Sequence, residues 1–206
     1  MTSFIPAGNR NSAPGGYMPA QKKGDRMSDP RENREQNDEI RIVRLCGRAD
    51  LSGFDRRQDV KRIWTRQDGA YVLIDQPYQM DWDAHRKQEV AEALGNGNCI
   101  AHAAMCGDRI VGFVSVLREV CDGRMILDII QVDRAFRGRG LGRKLWNAAV
   151  QEAKKAGAQE LYISAFCAEE TVAFYKAMGA RITQRPIAKI AQAEPCDIQM
   201  EYIIEQ

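Results

Sequence analysis

Three glycines and three arginines share one short stretch of the chain, Arg137-Gly138-Arg139-Gly140-Leu141-Gly142-Arg143. Just upstream is the run Met125-Ile126-Leu127-Asp128-Ile129-Ile130-Gln131-Val132. Its near-continuous apolar character is that of a strand covered on both faces. Downstream, Leu141, Leu145, Ala148, Ala149 and Ala156 recur at helical spacing, and Gly157 stands where such a helix ends. A strand therefore feeds a basic, glycine-rich turn at a helix start. The unpaired N–H groups of that start and the helix dipole both favour an anion. Glycine lets the backbone approach a bulky diphosphate without a Cβ clash, and Arg137, Arg139 and Arg143 add positive charge. These residues fit a pyrophosphate cradle. Spacing excludes two nucleotide loops. A dinucleotide fold has GxGxxG and an acid at the end of the next strand, whereas here the spacing is GxGxG and Glu160 begins that strand. The GxxxxGK of a P-loop, followed by Ser or Thr, is absent.

Proton-transfer candidates come from isolated acids. Asp128 interrupts an apolar strand, which requires a reason. With a period of two, residues 126, 128, 130 and 132 share a face. Asp128 is either a general base or a carboxylate held by a neighbouring group, and the sequence weighs the two evenly. In Tyr78-Gln79-Met80-Asp81-Trp82-Asp83, two carboxylates flank a tryptophan, which suits a cationic or sugar-like ligand. The competing reading makes Asp83 a helix cap and Trp82 a core residue. Glu169 and Glu170 open a helix, where acids complement the dipole; either can also face an acceptor. Glu194 or Asp197, at the start of the final strand, can reach a pocket rim.

The elements that must position these groups follow from periodicity. Residues 1–38 are rich in Gly, Pro, Asn, Ser and Arg and bury too little to offset ordering, so they are expected to form a disordered tail before a domain over 39–206. An edge-like strand is expected at Ile40 and Ile42, and a helix over Phe54–Trp64, whose Phe54, Val60, Ile63 and Trp64 fall on one face. Tyr71-Val72-Leu73-Ile74 is a short β-prone run closed by Pro77. A helix then runs from an Asp81 or Asp83 cap to Leu94. Strands are expected over Cys99–Cys106, Arg109–Arg118 and Met125–Val132, then the helix after Gly140. Glu160–Ala165 (strand), Glu169–Met178 (helix), Ala180–Thr183 and Asp197–Ile204 (strands) complete seven strands and four helices.

A chain of 206 residues suits one domain with a sizeable core. Its net charge of +2 gives no argument for a nucleic-acid partner. No apolar run approaches the roughly 20 residues that span a bilayer, and no signal pattern opens the chain, so a cytoplasmic location without membrane association is expected. The six cysteines form no CxxC pair and have only His85 and His102 as companions, so no metal is expected and the thiols read as buried and reduced.

The pattern Val132-x4-Arg137-x2-Gly140-x-Gly142 resembles the acetyl-coenzyme A motif of the GCN5-related N-acetyltransferases. The later Ala173-Phe174-Tyr175-Lys176-x-Met178-Gly179-Ala180 resembles that family's second cofactor helix, and the likeness runs from about Ile40 to Ile204. It implies an α/β (α+β) fold, a mixed central sheet of about seven strands flanked by about four helices. It implies acetyl-CoA as co-substrate, with the pantetheine arm paired to the backbone of Gln131 and Val132. The pyrophosphate would sit on the N–H groups from Arg137 through Gly138, Arg139, Gly140, Leu141 and Gly142 to Arg143. Tyr175 would lie at the sulfur and protonate the leaving thiolate; the alternative for it is a packed aromatic. A homodimer is likewise implied by resemblance. Three narrower patterns, FDRRQDVxRxW, YISAxxAEETxAFY and EPCDxQMEY, resemble the aminoglycoside 2′-N-acetyltransferases that inactivate kasugamycin. That likeness implies a small-molecule amine acceptor and antibiotic resistance. Against it stand acetylation of another small amine or a protein lysine, and a non-catalytic acyl-CoA sensor.

Overall fold

The computed structural model describes residues 39–205. The tail expected over residues 1–38 lies outside the described residues. In chain order the elements are β1 (Arg41–Arg44), β2 (Gln58–Gln67), β3 (Ala70–Met80), α1 (Ala84–Gly95), β4 (Cys99–Cys106), β5 (Arg109–Cys121), β6 (Arg124–Val132), α2 (Leu141–Lys155), β7 (Glu160–Ala165), α3 (Glu169–Ala177), β8 (Arg181–Ile182), α4 (Ala188–Ala193) and β9 (Ile198–Ile203). Seven strands form one mixed sheet in the order β1-β4-β5-β6-β7-β9-β8. Among the described residues only β6 and β7 pair in parallel. This is the mixed seven-stranded sheet and four-helix set expected.

Two assignments change. The helix expected over Phe54–Trp64 is a strand: β2 and β3 form a separate antiparallel ribbon. Its turn is Asp68-Gly69, both with positive φ (48° and 82°), the backbone that a two-residue hairpin loop needs. Val60, Ile63, Thr65, Val72 and Ile74 suit the extended state, and the helical spacing of Phe54 and Trp64 is coincidental. Pro77 does not close β3. It falls with Gln76 opposite Lys61, in a bulge between the Val60↔Tyr78 and Arg62↔Asp75 pairs, where a missing N–H is tolerated. The fourth helix is α4, which the periodicity did not reveal.

Each sheet face has its own core. On one, Leu141, Leu145, Trp146, Ala149 and Ala153 of α2 cover Val111, Val114, Leu127 and Ile163. On the other, Val90, Ala91 and Leu94 of α1 join Phe54, Ala101, Phe113 and Leu117. Burying each large side chain contributes roughly 1.5–3 kcal/mol, and this sandwiching makes the central strands rigid supports for a site.

Strand β6 carries the feature that matters most for the site. Ser115 of β5 pairs with Ile129, yet Val116 pairs with Leu127, so Asp128 is an extra residue in a β-bulge. The strict alternation expected from 126 to 132 therefore fails. Ile126 and Ile129 pack toward the α1 core, whereas Leu127, Ile130 and Val132 pack toward α2. The parallel ladder between β6 and β7 also stops at Leu127↔Ile163. From Asp128 onward, the β7-facing edge of β6 has no ladder partner among the described residues.

The six cysteines divide. Cys99 and Cys167 are buried, Cys106 is intermediate, and Cys46, Cys121 and Cys196 are exposed, which corrects the uniformly buried reading. No helix among the described residues is long and apolar enough to cross a membrane.

Candidate functional site

One large cleft, about 3040 Å³, opens where β6 and β7 diverge. Gln131, Val132, Gly138, Gly140, Gly142 and Arg143 line one part of it, and Tyr78, Asp81, Trp82, Asp128, Glu194 and Asp197 another.

At the first end, Gly138 and Gly140 have φ of 74° and 76°, a left-handed backbone that side chains resist. A Cβ at either would meet nothing within 4 Å. These two glycines are required by conformation, and the space beside them is open. Gly142 differs: a Cβ there would lie 3.0 Å from the Phe174 ring. It lets α2 and Phe174 of α3 approach closely. Gly140 caps α2 without a side chain, so the N–H groups of its first turn face the cleft end uncapped.

Arg137 holds this loop in place. Its guanidinium donates to the carbonyls of Val132 (2.9 Å), Arg57 (2.6 Å) and Arg56 (2.8 Å). The side chain is therefore a brace, and its charge is directed at backbone. Arg139 stacks over Phe136 at 5.6 Å. Asp133, fully buried, accepts from the backbone N–H of Asp55 and of Ala135, each at 3.0 Å, and from Arg109. The β6–α2 loop is thus tied to the segment before β2. An extended, amide-bearing chain can add to the unpaired edge of β6 as strands do, and a diphosphate fits the uncapped helix start. The site therefore fits coenzyme A.

At the second end, three carboxyl groups converge. The bulge turns Asp128 toward Ser115, whose hydroxyl donates to it at 2.9 Å. Burial raises the Asp128 pKa, the Ser115 bond opposes this, and Glu194 adds to the rise. Asp197 is pushed up to about 7, first by burial and then by Glu194, with which it shares a hydrogen bond. A relay fixes its position: Ile187 N–H donates to the Tyr162 hydroxyl (2.9 Å), and Tyr162 donates to Gln199 (2.6 Å). Gln199 in turn donates to Ser164 (2.9 Å), which donates to Asp197 (3.4 Å). Asp197 also acts on Tyr175. The Tyr175 hydroxyl is buried and its pKa is raised, mainly by burial and then by that carboxylate.

The other acids expected here have local partners. Asp83 accepts from Arg86 N–H at 2.7 Å as the α1 cap. Asp81 accepts from Trp82 N–H at 2.7 Å. Trp82 packs on Phe54 and Phe113 with centroids 6.4 and 6.3 Å away, while still lining the cleft. Glu169 accepts two bonds from Arg62, at 2.8 and 2.6 Å, fastening the β2–β3 ribbon to α3; Glu170, not Glu169, lines the cleft. Sequence reading missed Ser115, Ser164 and Arg56. A polar residue inside Ile110–Leu117 was a visible signal for Ser115; nothing local pointed to Arg56.

The family model of the acetyltransferase (GNAT) family matches residues 62–180. The chain belongs to this family. It is an acetyl-CoA-dependent N-acetyltransferase, and the GNAT match spans the cradle, the bulged strand and the Tyr175 helix. No curated protein matches the chain. Among solved structures, nourseothricin acetyltransferase is similar at a TM-score of 0.61 and 16% identity, covering 81% of this chain and 99% of that one. A Bacillus anthracis str. Ames protein in complex with acetyl coenzyme A, provisionally named a streptothricin acetyltransferase, gives 0.59 and 16% over 82% and 99%. At these identities the likeness is one of fold.

Proposed function

We propose that this GNAT enzyme acetylates a primary amine of an aminosugar antibiotic, with the 2′-amine of kasugamycin as the specific acceptor, and so confers resistance. The observation that carries this reading is the convergence of Asp128, Glu194 and Asp197 in one cleft beside Trp82. Three carboxyl groups at close quarters repel one another, and a cationic amine relieves that repulsion. The names of the two similar structures, both antibiotic acetyltransferases, accord with it.

Acetyl-CoA supplies an acetyl thioester when bound. Gly138, Arg139, Gly140, Leu141, Gly142 and Arg143 hold its diphosphate through backbone N–H groups, with Arg137 keeping the loop in shape, and Gln131 and Val132 pair with its arm. Asp128 takes the proton that the attacking amine must lose; its raised pKa makes it a better base than an exposed aspartate. Asp197 and Glu194 orient the ammonium before that loss. Transfer forms the C–N bond, breaks the C–S bond and leaves a thiolate needing a proton. Tyr175, whose raised pKa keeps its hydroxyl protonated before the step, gives that proton to the sulfur and regains one from solvent. The test is a screen of aminoglycosides, including kasugamycin and streptothricin, scored by product mass. Acetylated kasugamycin is the expected result; turnover of polyamines or lysine peptides alone would refute the reading.

A further inference from the structure

A cation is buried in the wall of the same cleft with two of its three guanidinium nitrogens lacking a hydrogen-bond partner among the described residues. Arg56 is 5% exposed, and its Nε and Nη1 atoms are enclosed without a hydrogen-bond partner among the described residues. Leaving such a donor unsatisfied is costly, more so when it is charged. The guanidinium lies 5.8 Å from the centre of the Trp82 ring, which holds its plane but offers no acceptor. Burial and Arg137 lower its pKa to about 10, while Asp81 and Tyr78 act the other way. It is still cationic at neutral pH. Arg56, Asp128, Glu194 and Asp197 all line the cleft, and the charged groups that act on Arg56 are Arg137 and Asp81 rather than those three acids.

Arg56 cannot reposition freely. Its carbonyl accepts from Arg137, and the neighbouring Asp55 N–H is held by buried Asp133. The backbone on both sides is thus fastened to the β6–α2 loop. A pinned, buried guanidinium with two unsatisfied nitrogens is prepared for an acceptor that arrives with a ligand.

We infer that Arg56 recognises an anionic oxygen group, carboxylate or phosphate, carried by the acceptor in addition to its amine. The acceptor is then zwitterionic, with its ammonium at the acidic trio and its anion at Arg56 beside Trp82. This rests on the small-amine reading of the cleft and narrows it. A fork of charge-assisted hydrogen bonds to such a group contributes roughly ten- to hundredfold in affinity.

The experiment compares three probes with the same sugar amine: glucosamine, muramic acid (which adds a carboxylate) and glucosamine 6-phosphate. Each is measured as a substrate or, where it is not turned over, as a competitive inhibitor of kasugamycin acetylation. The full-length wild type is expected to favour one or both anionic probes by at least tenfold over glucosamine, and which one identifies the anion. Arg56→Met should abolish that preference while leaving the KM for acetyl-CoA unchanged. If Arg56→Met does not fold, Arg56→Lys, which keeps the charge but loses the fork, should weaken the preference without abolishing it. Equal treatment of the three probes by the wild type, or a preference that survives Arg56→Met, overturns the role of Arg56 and leaves the amine reading standing. A raised KM for acetyl-CoA in Arg56→Met also overturns it, reassigning the cation to the co-substrate. Absence of acetylation of every aminosugar, kasugamycin included, removes the amine reading itself.

Discussion

Replacing Asp197 by asparagine should make the protein more stable at alkaline pH. The Asp197 carboxyl has its pKa raised from 3.8 to about 7 by burial and by Glu194. Between those values the folded chain binds more protons than the unfolded chain, so stability is fully present below about pH 4 and is lost as pH rises through 7. A rise of that size corresponds to roughly 4 kcal/mol for an isolated site. This is a large part of the roughly 5–15 kcal/mol of a typical domain. Asparagine keeps the shape and can still accept from Ser164, but it never has to ionise. Asp197→Asn should therefore match the wild type near pH 4 and exceed it by up to about 4 kcal/mol at pH 8.5. Urea unfolding, followed by tryptophan fluorescence at pH 4, 5.5, 7 and 8.5, measures the difference. Two curves that stay parallel across this range would refute the assignment of a buried, proton-holding Asp197.

Three further variants probe the site. Tyr175→Phe should lower kcat about ten- to hundredfold and leave acetyl-CoA affinity within about threefold, since only the hydroxyl at the leaving sulfur is lost; an unchanged kcat would remove Tyr175 from the chemistry. Gly140→Ala should cost about 1–2 kcal/mol of stability from its φ of 76° alone, because no atom lies within 4 Å of the new Cβ. Gly140→Asp should in addition weaken acetyl-CoA binding at least tenfold by placing a negative charge at the cradle, as calorimetric titration would show; equal affinities for the two variants would deny the loop its anion.

The parts of the molecule legible in sequence are those written within a few consecutive residues. Gly138 and Gly140 announced a close backbone approach at a helix start, and the Leu141–Ala156 spacing announced α2, because both depend on local backbone. The β2–β3 ribbon was also signalled, by Asp68-Gly69 between β-branched residues, but Phe54, Val60, Ile63 and Trp64 imitated a helical face more loudly. The facing of Asp128 was out of reach, because a bulge is a relation between two strands and Ser115 is the residue that absorbs it. Glu194 and Asp197 join Asp128 across the sheet after more than sixty intervening residues. Arg56 was invisible for another reason: its significance is the absence of a partner, and only a folded environment defines that.

The β2–β3 ribbon meets the body through the Trp64 N–H bond to Cys167 (2.8 Å), the Ile63↔Ala168 bridge, the Arg62–Glu169 and Arg134–Asp59 ion pairs and Lys176 over the Trp64 ring. Val60 is buried and Trp64 and Tyr71 pack against the α2-side core, whereas the tip at Asp68-Gly69 is exposed. Exposed positions such as Arg66 and Tyr78 can change side chain while the sheet that lines the rest of the cleft stays as it is. A change of acceptor can therefore be written on one peripheral wall, which separates the rate at which this scaffold changes its diet from the rate at which it risks unfolding.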